Sequence, residues 1–492
     1  MTKRCCFFFL LLFLAGGASA QTYNILNYGA IADGKTINTK SIQTAIDQCA
    51  KTGGTVLVPA GVFLTGTLYI KDNVTLYLDK GATILGSASF ADYPDNDVHY
   101  INFFTHFPNG SSRTNKALLF AEGVQGITIR GKGTIDGNGA APAFDLGDDA
   151  HSDKSKERPC TILFVNCKKI KVENIHLTNP AYWLENYIDC DGLLLKRLTV
   201  YNHSNFNVDG MDIDSRNVII EDCTIDSDDD GICFKSNSRN NFCENITVRN
   251  CTIASNCNAI KFGTTSIGGF RNINISGCVI KHSAESPIYH WQKSLQFVDE
   301  PITVLAGIAI EMTDGGVVDG IKISGIKMAD VQTPVFVYLG NRGRKQPGDT
   351  TAAPVGQLKN IVLNNITATS HSKMTSSITA FPGYYVENIS LSNIVFNCMG
   401  GGDSDEAKII LREKPTGYPE NRIYGYVYPA GGLYIRHAKN IALNNIKFDF
   451  INKDYRPAVI MDDVIGGKVN ALKSPSNGAE TIKLINSKEI VQ

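Results

Sequence analysis

The chain has 492 residues, a formal net charge of −1, 19% charged residues and 45 glycines. Such an even charge balance gives no basis for nucleic acid or an anionic membrane as partner. Length alone does not demand several domains, because repeat folds grow by adding coils.

Lys3 and Arg4, the apolar run Phe7 to Leu14 and Ala18-Ser19-Ala20 read as a signal peptide over residues 1–20. The predicted mature start is near Gln21, which implies export to the periplasm or the outside. The apolar run is too short to span a membrane, and no later segment is apolar enough. Residues 21–492 contain no linker rich in Pro, Gly or Ser and are read as one catalytic domain. Two of the 13 cysteines leave with the signal. The odd remainder resembles neither a disulfide scaffold nor a zinc site.

Tyr23 to Asp33 is expected as a strand, with a turn at Asp33-Gly34. Thr39 to Thr52 carries Ile42, Ala45, Ile46 and Cys49 at helical spacing. A short amphipathic helix there would cap the first coil and cover its strand edges. Val56-Leu57-Val58-Pro59-Ala60-Gly61 starts the coils.

From there a short unit recurs: an Asn or Gly turn, alternating aliphatics, a polar pair, then a second aliphatic strand. Successive copies end at Ile175, Leu198, Cys223, Cys251 and Cys278, 23 to 28 residues apart. Later copies end at Ile326, Ile366, Ile394 and Ile446. The position is always Ile, Leu or Cys, which predicts an inward ladder with the thiols as buried hydrophobes rather than disulfides. Strands are short and no crossover helices separate them. The pattern predicts an all-β parallel β-helix with rungs about 4.8 Å apart. Insertions at Asp92–Lys116, Ala140–Arg158, Ser283–Ile302 and Gly400–Pro429 are expected to wall a groove.

Carboxylates concentrate in one place. Repeat alignment sets Asp209, Asp230 and Asn258 in one column on successive coils, with Asp229 beside it. Like charges stacked this closely raise at least one pKa. A raised carboxyl beside an ionised one suits glycoside hydrolysis, as acid and base. An acidic turn or a calcium site of hard oxygens is the other reading of the same residues. Lys235 is expected to pair across coils with Asp214. Lys261 falls over Cys233 with no evident partner, and is the better candidate to meet a substrate carboxylate.

At these residues the chain resembles the polygalacturonase family, glycoside hydrolase family 28. Tyr28-Gly29-Ala30, Asp33-Gly34 and Val58-Pro59-Ala60-Gly61 are similar to its N-terminal coils. Its Asn-Thr-Asp motif appears as Asn207-Val208-Asp209, and its Gly-Asp-Asp as Asp228-Asp229-Asp230. The resemblance implies a right-handed helix, no cofactor or metal, and an inverting two-carboxylate mechanism on pectic polysaccharide. It makes Asp229 the general acid, with Asp209 and Asp230 holding and deprotonating water. Asn207, Asn258, Lys261 and Trp183 would contact substrate. Two motifs depart: Gly-His-Gly becomes Cys257-Asn258-Ala259, and the uronate-gripping Arg-Ile-Lys falls at Ala309-Ile310-Glu311. Arg342, Arg344 or Arg436 are candidate replacement cations. Tyr182, Trp183, Tyr289, His290, Trp291 and Tyr418 are candidate sugar platforms, and large walls suggest exo-action. A calcium-dependent pectate lyase and a non-catalytic glycan-binding β-helix are the competing readings.

Overall fold

The computed structural model describes residues 21–96, 115–145, 157–284, 304–345, 349–475 and 480–492. The signal peptide and Tyr289, His290 and Trp291 lie outside the described residues, as does most of the insertion that carries those three. Much of the two earlier insertions does so as well.

The chain forms a right-handed parallel β-helix. Every paired strand is parallel, and one continuous sheet system runs from Thr22 to Val491. The alternation in each strand sends one set of side chains inward. Ile225 is registered on Val200 and Ile253, and all three are buried. Turn residues explain the recurrent asparagines. Asn217, Asn245 and Asn272 adopt φ of 57°, 56° and 49°, a left-handed conformation that Asn tolerates. They stack on successive coils, with Asn245 donating to Asn217 at 3.2 Å and Asn272 to Asn245 at 2.8 Å.

The ladder is as expected: Ile175, Leu198, Cys223, Cys251, Cys278, Ile326, Ile366, Ile394 and Ile446 are each at most 2% exposed. All described cysteines are free thiols and buried. A helix spans Thr39–Ala50 and buries Ile42, Ala45, Ile46 and Cys49. It packs on the first strands, as a cap should. The expected strand from Tyr23 to Asp33 is corrected. Only Thr22–Asn24 and Asp33–Ile37 are extended, with a 3-10 turn at Ile25–Tyr28 between them. Asn24 caps that turn by accepting from Leu26 N, and Gly29 closes it at φ 86°.

The insertion after Gly400 folds back over the outer face of the preceding coils. Asn421 Nδ2 donates to Leu305 O at 2.7 Å, and Tyr428 Oη donates to Asn421 O at 3.0 Å. Ile423 and Tyr424 pack on Ala306, Ala309, Phe336 and Tyr338. This insertion therefore walls the C-terminal side of the acidic column.

Candidate active site

The site is built on strands Met211–Glu221, Ile232–Ser236, Asn258–Ser266 and Val304–Met312. Met211, Ile232, Ile260 and Ile308 form one inward file. Asp212, Cys233, Lys261 and Ala309 form the adjacent outward file. The turns entering these strands carry Asp209, Asp230 and Asn258 in register. Gly210 N donates to Asp230 O and Gly231 N to Asn258 O, both at 2.8 Å. A Cβ on Gly210 would meet Gly231 O at 2.5 Å, so this close stacking needs glycine there.

Asp230 is the best-held carboxylate. Asn258 donates to its Oδ1 from both Nδ2, at 2.8 Å, and the backbone N, at 3.2 Å. Lys261 Nζ lies 3.0 Å from its Oδ2. Burial alone would raise the pKa of Asp230, but Lys261, Lys235 and the Asn258 bond outweigh it and hold it low. Asp229 is only half-buried, and its Oδ1 accepts from Asp230 N at 2.9 Å. Lost hydration, followed by repulsion from Asp209 and Asp230, pushes its pKa up to about 8. Two adjacent carboxyls are thus driven to opposite protonation states. At neutral pH the site holds a proton donor beside an ionised acceptor.

Lys235 differs from expectation. Its Nζ pairs with Asp209 Oδ2 at 3.1 Å and Asp212 Oδ1 at 2.9 Å, not with Asp214. Asp214 instead accepts from Asn237, from the side chain at 2.7 Å and the backbone at 3.1 Å. Lys261 does stand on Cys233 as read, but it has a partner after all, Asp230. Asp228 turns away from the column. It is fully buried, 2.5 Å from His203 Nδ1, and accepts from Asn256 Nδ2 at 2.7 Å. His203 Nε2 lies 3.0 Å from Asp226. Burial opposes the charge on His203, but Asp226 and Asp228 together raise its pKa to about 9.

Trp183 reaches the site but does not offer a face to a sugar. It is 6% exposed and packs among Phe120, Leu163 and Ile188. Its ring centroid lies 5.6 Å from Lys235 Nζ, so it backs that lysine. Asn207, half-buried at φ 56°, accepts from Arg158 at 3.3 Å. Arg158 escaped sequence reading because it ends an insertion outside the repeat register. It is fully buried, donates to Ala181 O at 2.8 Å and Phe206 O at 2.6 Å, and lies 4.7 Å from the centroid of the Tyr182 ring. This anchors the turn that delivers Asp209. Neither Arg342 nor Arg436 is an uncommitted cation: Arg342 pairs with Asp314, and Arg436 with Glu413 at 2.6 Å. Tyr418 is 59% exposed, and its hydroxyl lies 3.2 Å from Thr264 Oγ1.

Two groups of side chains bring ligand atoms within 4.8 Å of one another: Asp209, Asp230 and Cys233, and Asp229, Asp230 and Cys257. Both share Asp230, whose oxygens are already engaged by Asn258 and Lys261. Each also supplies a thiol, and calcium selects oxygen. The donor sets do not suit calcium.

Residues 49–289 match the profile of glycosyl hydrolases family 28. The chain is thus similar to that family over a stretch just under half its length. An exo-poly-alpha-D-galacturonosidase of Dickeya chrysanthemi is 30% identical over 257 residues, covering 44% of this chain and 42% of that protein. The match thus spans under half of that relative. An endo-polygalacturonase of Pectobacterium carotovorum subsp. carotovorum is 25% identical over 359 residues, 68% of this chain and 81% of the relative. In three dimensions, the family 28 exopolygalacturonase of Yersinia enterocolitica superposes with a TM-score of 0.62 at 19% identity, over 96% of this chain and 78% of its own. That last likeness speaks for the fold. The family's members among these relatives include both exo- and endo-acting enzymes.

Proposed function

We propose that this chain is an inverting glycoside hydrolase that cleaves α-linked, galacturonate-containing pectin. Asp229 donates a proton to the leaving oxygen, while Asp230 and Asp209 orient and deprotonate water on the opposite side of the sugar. The observation that carries this reading is the pair of neighbouring carboxyls with opposed pKa shifts, one up to about 8 and one held low. Lys261 and Asn258 keep Asp230 ionised, and Lys235 Nζ lies 3.1 Å from Asp209 Oδ2. Asn207, half-buried and two residues before Asp209, is assigned to meet a sugar hydroxyl.

The wall formed by the insertion after Gly400 supports exo-action, because it closes the groove one coil beyond Lys261. Residues 21–492 are read as one catalytic unit, in keeping with the sheet that joins them. No helix among the described residues is long and apolar enough to cross a membrane. A polymeric substrate of this kind calls for export before it is met, to periplasm or exterior.

The test incubates the mature protein and Asp229→Asn with polygalacturonan and rhamnogalacturonan, with chelator present. New reducing ends without absorbance of unsaturated uronate, abolished by the substitution, are expected. Unsaturated product, or turnover that survives Asp229→Asn, would overturn the assignment.

A further inference from the structure

The later coils carry a second cleft, of about 290 Å³, that the proposed chemistry does not use. It opens at the turn after the Ser376–Ala380 strand. Parallel register carries Lys261 to Ala309, Phe336 and then Ser377, so this turn lies three coils beyond Lys261, about 14 Å along the axis. The insertion after Gly400 stands between the two. Ile423 and Tyr424 cover Ala309 and Phe336, and Tyr424 Oη lies 3.3 Å from Thr379 Oγ1. A chain seated at the aspartates does not run straight on into the cleft.

The turn is built to hold a ring outward. Phe381-Pro382-Gly383-Tyr384 is a β-turn closed by Tyr384 N, which donates to Phe381 O at 2.9 Å. Pro382 fixes its first corner, and Gly383, at φ 83°, takes the left-handed second corner. Tyr384 is left 46% exposed, with Phe381 edge-on behind it at 5.7 Å between centroids. The floor beside this ring is cationic. Lys359, Glu387 and Lys439 stand in register on successive coils. Glu387 lies 3.9 Å from Lys439 Nζ. Asp319, outside the lining and bonded to Asn360, lies 4.0 Å from Lys359 Nζ. Exposed pairs at such distances hold their charges loosely. Lys439 Nζ also sits 4.1 Å from the centroid of the Tyr385 ring, which steadies the ammonium in the cleft.

We propose that this cleft is a second, non-catalytic site for an acidic sugar chain, a de-esterified galacturonan. Tyr384 stacks on the face of a sugar ring, and Lys359 and Lys439 receive the carboxylates beside it. A ring alone takes many sugars; the lysines select one that carries charge. One stretch of polymer held there keeps the rest of the chain near the aspartates. That raises the effective concentration of a long substrate and leaves a short one unaffected. The inference takes the identity of the polymer from the hydrolase reading above, but not its binding.

The experiment places Tyr384→Ala and Lys439→Gln, singly, in the full chain, with thermal unfolding to confirm the fold. Values of kcat and KM are measured on de-esterified polygalacturonan and on a short oligogalacturonate. Either substitution should raise KM for the polymer by about tenfold with kcat unchanged, the effect of one lost ring or ammonium contact. The constants for the short substrate should not move. The same substitutions in the Asp229→Asn chain are run through gels containing de-esterified or methyl-esterified polygalacturonan. Retardation by the de-esterified polymer should weaken with each substitution and with added salt, and retardation by the esterified polymer should not depend on Lys439. Retardation that the substitutions leave unchanged, or equal losses on polymer and short substrate, would overturn the inference alone. Equal dependence on Lys439 in both gels would overturn the charged occupant. No turnover by the native chain would overturn the hydrolase reading, and the gels would still decide the cleft.

Discussion

Replacing Lys261 by Met separates two roles that the lysine could have. Its side chain is 6% exposed, that of Asp230 is 4% exposed, and the pair is 3.0 Å apart. Removing one partner of a buried ion pair costs about 3–5 kcal/mol, because the other charge is left without compensation. Asn258 still donates twice to Asp230, and Lys235 also acts on it, so the low end applies, about 3 kcal/mol. Asp230 can escape that cost by taking a proton. Its pKa then rises by about two units, at roughly 1.4 kcal/mol per unit. The base must be ionised to act, so the acid limb of the kcat/KM profile should move up by about two pH units. The sign follows from Asp230 being held low in the native fold: its stabilisation is present above the ordinary carboxylate pKa and vanishes as pH falls through the lowered one. The Lys261→Met substitution should therefore also flatten the loss of stability on acidification. The assay is a pH–rate profile with thermal unfolding over the same range. An unmoved acid limb with only KM raised would refute the reasoning and return Lys261 to a purely substrate-binding role.

Asp229→Asn should abolish turnover yet raise the unfolding temperature near about pH 7, because the native fold lifts this carboxyl to about 8 and so penalises its ionised form. Near about pH 3 the gain should disappear, since the acid is then protonated in both states; equal gains at both would contradict the electrostatic account. His203→Gln should destabilise the fold by about 3 kcal/mol by leaving Asp228 buried without its cation. Its raised pKa of about 9 makes that contribution complete below the ordinary histidine value and lost as pH rises through 9, so calorimetry should show the native chain and variant converging in alkali. Thiol titration of the native protein should label none of the described cysteines, while denaturation exposes them all; rapid native labelling of Cys223, Cys251 or Cys278 would contradict the inward ladder.

The features legible in the sequence are those that the coil repeat dictates. A parallel register carries one position directly onto the next, so aligning Asp209 with Asp230 and Asn258 by repeat was enough to find the column. The helix at Thr39–Ala50 was equally open, because Ile42, Ala45, Ile46 and Cys49 mark a single buried face. Lys235 shows where such reading stops. Register fixes Cα neighbours, but a four-carbon side chain reaches past its neighbour, here to Asp209 and Asp212 in place of Asp214. Trp183 was expected to offer its ring to a sugar, and burial among Phe120, Leu163 and Ile188 decided otherwise. His203 directly follows the Thr199–Asn202 strand, whose register on Thr224–Ser227 sets it against Asp228 one coil on, so that pair lay within reach of the repeat. Arg158 ends an insertion with no periodicity, and its partners, the carbonyls of Ala181 and Phe206, are set by tertiary closure.

The most direct test of the central claim is the anomeric form of the first product. Proton NMR of a fresh digest of α-linked galacturonan, recorded before mutarotation, should show the β-anomer of the new reducing end. A water held by Asp209 and Asp230 attacks opposite the bond that Asp229 protonates, and so inverts the centre. The α-anomer appearing first would mean a covalent, retaining route, and would contradict the roles assigned to all three aspartates.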